Sequence, residues 1–324
     1  MYKNVEQLKE KVLDGYLISK EEAMWLTSQP LDDLTKSADE IRKKFCGNGF
    51  DICTIINGKC GRCSEDCKYC SQSAHFKTKV EEYPLLPTEK IVEQAKYNAD
   101  RGVLRYSIVT SGKRLNQKEL EQVCESIRAI KEQVNIEVCI SFGLLDKDDF
   151  IKIKEAGASR VHCNLESSAS YFPKVCTTHT YEQKINTLKA AVAAGLSVCS
   201  GGIMGLGESV QDRIDMAFTL RELNVKSIPV NFLNPIPGTP YEHNKLLSDD
   251  EKLRVVAVYR FILPDSSIRL AGGRGLIADK GEKCFVSGAN AAISGDMLTT
   301  SGITIETDMQ IIRKHGYKAE LWNG

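Results

Sequence analysis

From residue 50 onward, short apolar runs of strand type alternate with longer amphipathic stretches of helical period, and few folds accept that order. The strand-like runs fall at 52–56, 104–109, 136–140, 160–165, 197–202, 227–232, 268–271 and, more briefly, 287–291. Helical stretches separate them at 88–101, 117–133, 147–156, 181–194, 210–223 and 249–262. Strands joined through helices lie parallel, because a tight turn can only reverse the chain. Eight of them close on themselves, so the expected fold is α/β, a (β/α)8 TIM-type barrel, and 324 residues suit a single barrel. An open doubly wound sheet is the alternative. The glycines of Gly202-Ile203-Met204-Gly205-Leu206-Gly207-Glu208 lack the G-x-G-x-x-G spacing that would favour it. Residues 1–45 read as two or three helices, one N-capped by Ser19 with Glu22 three positions on. They are expected to form an N-terminal helical cap over the closed end, with 46–324 as the barrel and a C-terminal extension.

Charge narrows the partners. The 43 basic and 43 acidic residues cancel, so no net field draws the chain to nucleic acid or an anionic membrane surface. No run approaches the roughly 20 apolar residues of a membrane span. The start, from Met1 to Glu10, alternates charged and apolar residues and lacks the apolar core of a signal peptide. The expectation is a cytoplasmic protein that acts on small molecules or meets other proteins. Twelve cysteines stay reduced in that compartment, so their spacing points to metal binding or catalysis rather than disulfides.

Three of them fall in C-x3-C-x2-C spacing within Cys63-Ser64-Glu65-Asp66-Cys67-Lys68-Tyr69-Cys70. A structural zinc site is closed by four ligands, and a 4Fe-4S cluster has four irons to hold. A trio therefore leaves one iron open to the amine and carboxylate of a cofactor. With an aromatic residue just before its last cysteine, the loop resembles the cluster loop of the radical S-adenosylmethionine superfamily. The resemblance implies that Cys63, Cys67 and Cys70 hold a 4Fe-4S cluster whose open iron binds S-adenosylmethionine, with Tyr69 beside it. Electron transfer then releases a 5′-deoxyadenosyl radical. The alternative is a zinc knuckle completed by Cys60, which stands in C-x2-C spacing with Cys63.

Side chains two apart on a strand share a face. This groups Cys53 with Ile55 and Asn57, Arg105 with Ser107, Cys139 with Ser141, His162 with Asn164 and Glu166, Cys199 with Gly201, Pro229 with Asn231, and Arg269 with Ala271. An ordinary barrel fills such faces with Val, Ile and Leu; polar residues and cysteines there make a reaction chamber. Layers in a barrel draw one side chain from each alternate strand. Cys53, Cys139, Cys199 and Arg269, on strands one, three, five and seven, are expected to form one layer and a second metal-cluster site below the Cys63 loop. Lone buried cysteines are otherwise small core residues.

The cluster loop with Ser71-Gln72-Ser73, the stretch from Val198 to Glu208, Ile228-Pro229-Val230-Asn231, Pro237-Gly238-Thr239-Pro240 and the stretch from Ile268 to Arg274 together resemble the biotin synthase family. The likeness covers essentially all of the chain after residue 45. It implies that sulfur from an auxiliary iron-sulfur cluster is inserted into dethiobiotin to form biotin, with radicals removing the two hydrogens that the sulfur replaces. Gly202, Ile203 and Gly205 would lie along the adenosine. Asn164 and Glu166 would contact S-adenosylmethionine, and Asn164 and Asn231 would position dethiobiotin, whose ureido group needs amide-like partners. Cys139, Cys199 and Arg269 fall at auxiliary-cluster positions. An electron donor such as flavodoxin or ferredoxin and a homodimer are implied as well. The alternative is a relative in the same subfamily with another small substrate, such as methylornithine synthase or the iron-iron hydrogenase maturase. A non-catalytic metal-binding scaffold is a third reading, with no use for the glycine-rich turn at 202–207.

The family usually carries a further auxiliary cysteine on the second strand, where this chain has Ser107, and a hydroxyl is a poor ligand for soft iron-sulfide. Cys53 instead stands on the first strand, at a position usually serine. The ligand is expected to have moved there, giving Cys53, Cys139, Cys199 and Arg269 around a cluster of 2Fe-2S or four-iron type. Glu166 replaces an aspartate, and His162-Cys163 replaces an Asn-His pair. Alternation turns Cys163 away from the chamber. Cys46, Cys124, Cys176 and Cys284 read as structural, and His75, His179, His243 and His315 lack metal-ligand spacing.

Overall fold

The computed structural model describes residues 3–322. Three helices come first, α1 (Val5–Leu13), α2 (Lys20–Leu26) and α3 (Leu31–Cys46). The parallel strands are β1 (Gly49–Lys59), β2 (Arg105–Thr110), β3 (Glu137–Ser141), β4 (Arg160–His162), β5 (Ser197–Cys199), β6 (Gly202–Met204), β7 (Ser227–Phe232), β8 (Ser267–Leu270) and β9 (Ala291–Ser294). β9 returns to β1, from Asp51 opposite Ala291 to Thr54 opposite Ser294, so the sheet closes and the open-sheet alternative is excluded.

β5 and β6 occupy one place in the ring. Cys199 pairs with Ser227 and Gly202 with Val230, and the gap between them lies opposite Pro229. Proline has no N–H for the ladder. A Cβ on Gly201 would stand 1.9 Å from the Pro229 carbonyl oxygen, so only glycine lets the chains approach here. Eight strand positions result.

Between them run α4 (Thr88–Ala99), α5 (Gln117–Gln133), α6 (Lys147–Ala156), α7 (Phe172–Val175), α8 (Tyr181–Ala193), α9 (Val210–Glu222) and α10 (Asp249–Ile262), followed by α11 (Glu282–Phe285) and α12 (Ile305–Lys314). Asn116, Thr180, Ser209 and Ser248 start four of these with reciprocal capping boxes, satisfying two orphan amides at each N-terminus. The last strand begins later than its apolar run suggests. Gly288 at φ +121° and Asn290, whose Oδ1 accepts from Ile268 N and Arg260 Nη2, hold 287–290 as a turn.

The N-terminal helices pack against the helical wall. α3 packs on α10 and α2 on α9, with Arg221 donating to the Ile18 carbonyl and Arg254 to that of Gln29, so they thicken the outer wall. What covers the floor is the C-terminal segment. Its short strand β10 (Lys318–Ala319) pairs with Gly49 and Phe50. Trp322 then donates its N–H to Asp51 Oδ2 at 3.2 Å, and its carbonyl accepts from Arg105 and Arg160.

Asp51 is fully buried. Arg105 Nε lies 2.9 Å, Arg269 Nη2 3.2 Å and Arg160 Nη1 3.8 Å from its carboxylate oxygens. Burial opposes its charge, but the three guanidinium groups hold its carboxyl below the usual range. Asp51→Asn keeps the shape and leaves three buried cations without their counter-ion. In urea denaturation of the apo chain it is expected to cost about 3–5 kcal/mol; an unfolding midpoint equal to the parent's would refute that role.

Candidate active site

A cavity of about 410 Å³ opens at the carboxyl end of the strands, the face where barrels of this type carry their chemistry. Ile55, Ser107, Val109, Ser141, His162, Asn164, Pro229 and Asn231 line it, as strand alternation requires. β4 stops at His162, however, and the alternation stops with it. Cys163 therefore lines the cavity instead of turning away, and Glu166 adopts φ +69°, a strained setting for a residue with a side chain.

Cys63, Cys67 and Cys70 reach the rim of this cavity on the loop after β1, together with Tyr69. Cys63 N donates to Gln72 O, Ala74 N to Cys63 O and Cys70 N to Cys67 O, which curls the loop so that its thiols face inward. Asp66 anchors it: its carboxylate accepts from the backbone N–H groups of Thr177 and Thr178 at 2.8 and 3.1 Å. Against its burial, hydrogen bonds led by the Thr177 hydroxyl and amide hold its carboxyl well below the usual range. Glu65 accepts from His179 Nδ1 at 2.7 Å. Cys60, the fourth thiol of the zinc alternative, is 4% exposed, its backbone paired with Tyr83, and lies outside the cavity lining.

Cys176, read as structural, and His179, read as lacking metal-ligand spacing, belong to this wiring. The ligand atoms of Cys67, Cys176 and His179 lie within 4.8 Å of one another, and Cys176 Sγ is 3.2 Å from both Asp66 Oδ1 and His179 Nδ1. The bond with Cys67 holds the Cys176 thiol well below its ordinary value, with His179 assisting against burial. The Cys176-x-x-His179 spacing was a readable hint; the 108 residues that separate Cys67 from Cys176 hid the rest.

Glu166 is 9% exposed, with Oε2 unpaired. Burial pushes its carboxyl up, opposed by Lys184 and by the Tyr69 hydroxyl, which donates to it. Lys184, from α8, also lines the cavity, and no spacing in the sequence singled it out. Asn164 Oδ1 accepts from Gly201 N at 3.2 Å. Asn231 donates to Gly202 O and accepts from Gly272 N at 2.8 Å, which leaves one N–H and one lone pair of its amide for a ligand. Ile203 alone of the three adenosine candidates lines the cavity; Gly202 is pressed against the Glu166 carbonyl, and Gly205 turns at φ +99° with its N–H on Glu208. Met297 to Thr300, after β9, complete the wall and escaped sequence reasoning.

Below the cavity, Cys53, Cys139, Cys199 and Arg269 are each at most 2% exposed. Arg269 Nη1 lies 3.2 Å from Cys53 Sγ, and the Ser227 hydroxyl 3.2 Å from Cys199 Sγ. Burial pushes the Cys53 thiol up to about 12 against the pull of Arg269, and raises that of Cys199. Cys139 goes the other way: a hydrogen bond with His162 and the charges of Arg160 and Arg105 outweigh burial and lower its thiol. Arg269 Nε and Ser107 Oγ are buried without a hydrogen-bond partner. Three soft donors, a guanidinium and orphaned polar atoms fit an anionic iron-sulfur cluster, and the three inward thiols of the loop fit a cluster with one open iron.

A family model described as Radical SAM superfamily matches residues 59–220, and one described as Biotin and Thiamin Synthesis associated domain matches 229–318. The chain is 58% identical over 318 residues to the biotin synthase of Brachyspira hyodysenteriae, covering 98% of this chain and 96% of that one. It is 55% identical over 311 residues to that of Akkermansia muciniphila, covering 96% and 97%. Among solved structures, methylornithine synthase superposes with a TM-score of 0.84 at 20% identity, over 97% of both chains. The FeFe-hydrogenase maturase from Carboxydothermus hydrogenoformans does so at 0.82 and 17%, over 98% of this chain and 80% of that one. At such identities these two speak for the fold.

Gly202 tests the packing behind the cavity. A Cβ there would meet Glu166 O at 2.6 Å and Met216 Sδ at 2.5 Å. Gly202→Ala is expected to destabilise the chain by about 1–3 kcal/mol through overpacking, read as a lowered urea midpoint; an unshifted midpoint would refute the close contact.

Proposed function

Because the chain belongs to the biotin synthase family of radical S-adenosylmethionine enzymes, we propose that Cys63, Cys67 and Cys70 hold its 4Fe-4S cluster and Cys53, Cys139, Cys199 and Arg269 its auxiliary cluster. The chain is a radical S-adenosylmethionine sulfurtransferase that converts dethiobiotin to biotin. Its cofactors are the 4Fe-4S cluster, S-adenosylmethionine and the auxiliary iron-sulfur cluster. When bound, the first cluster supplies the electron that cleaves S-adenosylmethionine and the second supplies sulfur. The observation that carries the site reading is the stack itself: one rim loop of three thiols, a largely apolar cavity with a few polar side chains beneath it, and a sealed layer of three more thiols with Arg269 at the bottom.

S-adenosylmethionine would bind across the rim. Lys184 meets its carboxylate, and Glu166, oriented by Tyr69 and opposed by burial, meets its cationic or hydroxyl groups; Asn164 and Ile203 flank the adenosine, with Gly202 and Gly205 shaping the turn behind. Dethiobiotin would lie deeper, its ureido group on the free valences of Asn231 and Asn164. Its apolar chain would run along Ile55, Val109 and Leu298, towards the hydroxyls of Thr299 and Thr300. The replacement of a second-strand cysteine by Ser107 and the arrival of Cys53 beside Arg269 favour a changed auxiliary cluster, of four-iron rather than 2Fe-2S type. The same reading takes a flavodoxin or ferredoxin as electron donor, a homodimer and a cytoplasmic location. It also divides the chain into a helical unit at 1–45 and a barrel with its extension at 46–324. Among the described residues no helix is long and apolar enough to cross a membrane.

The direct test is anaerobic reaction of the reduced, reconstituted protein with S-adenosylmethionine and dethiobiotin, quantifying biotin and 5′-deoxyadenosine by mass spectrometry. Roughly two deoxyadenosines per biotin are expected, one for each hydrogen removed; deoxyadenosine without biotin would sink the substrate. Cys53→Ala is expected to lose auxiliary iron and keep the rim cluster, and an iron content equal to the parent's would sink that ligand. Lys184→Met should weaken S-adenosylmethionine binding about 10–100-fold, the worth of one charge-assisted hydrogen bond, measured by equilibrium binding to the reconstituted protein.

A further inference from the structure

Cys67 and Cys176 face each other at the rim. The segment that ends α7 runs antiparallel to the cysteine loop: Lys68 N donates to Val175 O at 3.0 Å, and Thr177 N donates to Asp66 Oδ1 at 2.8 Å. With Lys68 tied to Val175 and Asp66 to Thr177, Cys67 falls opposite Cys176. Their sulfur atoms lie within 4.8 Å of each other. Opposed residues of antiparallel segments keep their Cα atoms about 4.5–5.5 Å apart, inside the span that a disulfide bridges. The two thiols differ in access. Cys67 lines the cavity, whereas Cys176 is 2% exposed and lies outside the lining. Cys176 Sγ stands 3.2 Å from both Asp66 Oδ1 and His179 Nδ1, so a proton leaving it has an acceptor at hand. A cysteine kept only to fill space needs neither an opposed thiol nor those two partners.

We propose that Cys176 is the resolving thiol of Cys67 and closes a reversible disulfide with it whenever the rim is without its cluster. Its protective value rests on reading Cys67 as a ligand of that cluster, because a bound iron occupies the sulfur. The oxidant is a peroxide that enters by the cavity. The Cys67 sulfur attacks it: an S–O bond forms as the O–O bond breaks, an electron pair passes to the peroxide, water leaves, and Cys67 becomes a sulfenic acid. The Cys176 sulfur then attacks that of Cys67, and its proton passes by way of Asp66 or His179 to the departing hydroxide. The S–S bond forms, the S–O bond breaks and a second water leaves. The disulfide halts oxidation short of the sulfinic acid, which thiols do not reverse, and a thiol reductant returns both cysteines.

The test is peptide mapping by mass spectrometry, without reduction, of the full-length protein after exposure to hydrogen peroxide, with the parent beside Cys176→Ser. In the cluster-free parent a peptide pair joined through Cys67 and Cys176 is expected; dithiothreitol should separate it and let reconstitution return the rim iron. Serine keeps a donor to Asp66 and removes the sulfur, so Cys67 of the variant is expected to go on to the sulfinic acid and the rim iron to stay lost. Should the variant not fold, the map of the parent decides alone. A parent in which Cys67 is joined to Cys63 or Cys70 instead, or reaches the sulfinic acid as fully as the variant, would overturn the assignment. Failure of the ligand reading shows separately. If iodoacetamide labels Cys67 as fast in the reconstituted protein as in the cluster-free one, Cys67 holds no cluster and the protective role falls, whatever the map shows.

Discussion

One carboxylate compensates three guanidinium groups at the floor of the barrel, and both the closure of the fold and the character of its interior follow from that imbalance. Asp51 meets Arg105, Arg160 and Arg269 where water is excluded. Three buried cations and one anion leave two positive charges in excess, a costly state in a low-dielectric interior unless something else answers it. Two answers are visible. The Trp322 carbonyl accepts from Arg105 and Arg160 and ties the C-terminal segment under the barrel. Above, Arg269 turns towards Cys53, so the remaining positive field is spent on sulfur. A thiolate-ligated cluster is anionic, and held there as proposed it would answer that field better than bare thiols do.

On the proposed ligand set, that field would let the cysteine sit on a different strand. What the layer demands is soft donors around a positive centre, drawn from alternate strands. Cys53, directly within reach of Arg269, would meet the demand from β1, in alternation with Cys139 and Cys199, whereas position 107 lies on the neighbouring strand β2. Ser107 keeps its place on the inward face and its hydroxyl finds no partner. The electrostatics conserve the kind of site while leaving its ligand geometry free to vary.

Much of this was legible in the chain because barrels make periodicity carry information. Strands at residues 105–110, 137–141 and 227–232, and helices such as α5, α6 and α10, fall where the apolar pattern puts them, since each must bury one face. The inward assignment of Cys53, Cys139, Cys199 and Arg269 follows from a period of two on a straight strand. The reading failed where strands end. β4 stops at His162, and Cys163, assigned outward by alternation, faces the cavity. The last strand starts late because Gly288 and Asn290 impose a turn that hydrophobicity cannot register. Contacts between distant segments were invisible for a different reason: Trp322 under Asp51, Cys176 against Cys67 and Lys184 at the rim are set by how loops and helix ends pack, which no local spacing encodes.

The vertical order of the chamber now gives each level one chemical task. At the rim, the Asp66 carboxylate fixed by two backbone amides makes the cysteine loop rigid, as a site that must hold a cofactor in one pose requires. In the middle, Asn231 and Asn164 are themselves held by Gly202, Gly272 and Gly201, so their remaining valences point in fixed directions. At the bottom the thiols are sealed from solvent, which protects labile sulfur from exchange while the chamber above admits small molecules. With both clusters held as proposed, a radical made at the rim would meet substrate before water, and the substrate would meet sulfur from below. Two devices set those depths: strand alternation buries Cys53, Cys139 and Cys199 below the cavity, and the loop after β1 carries Cys63, Cys67 and Cys70 to its rim.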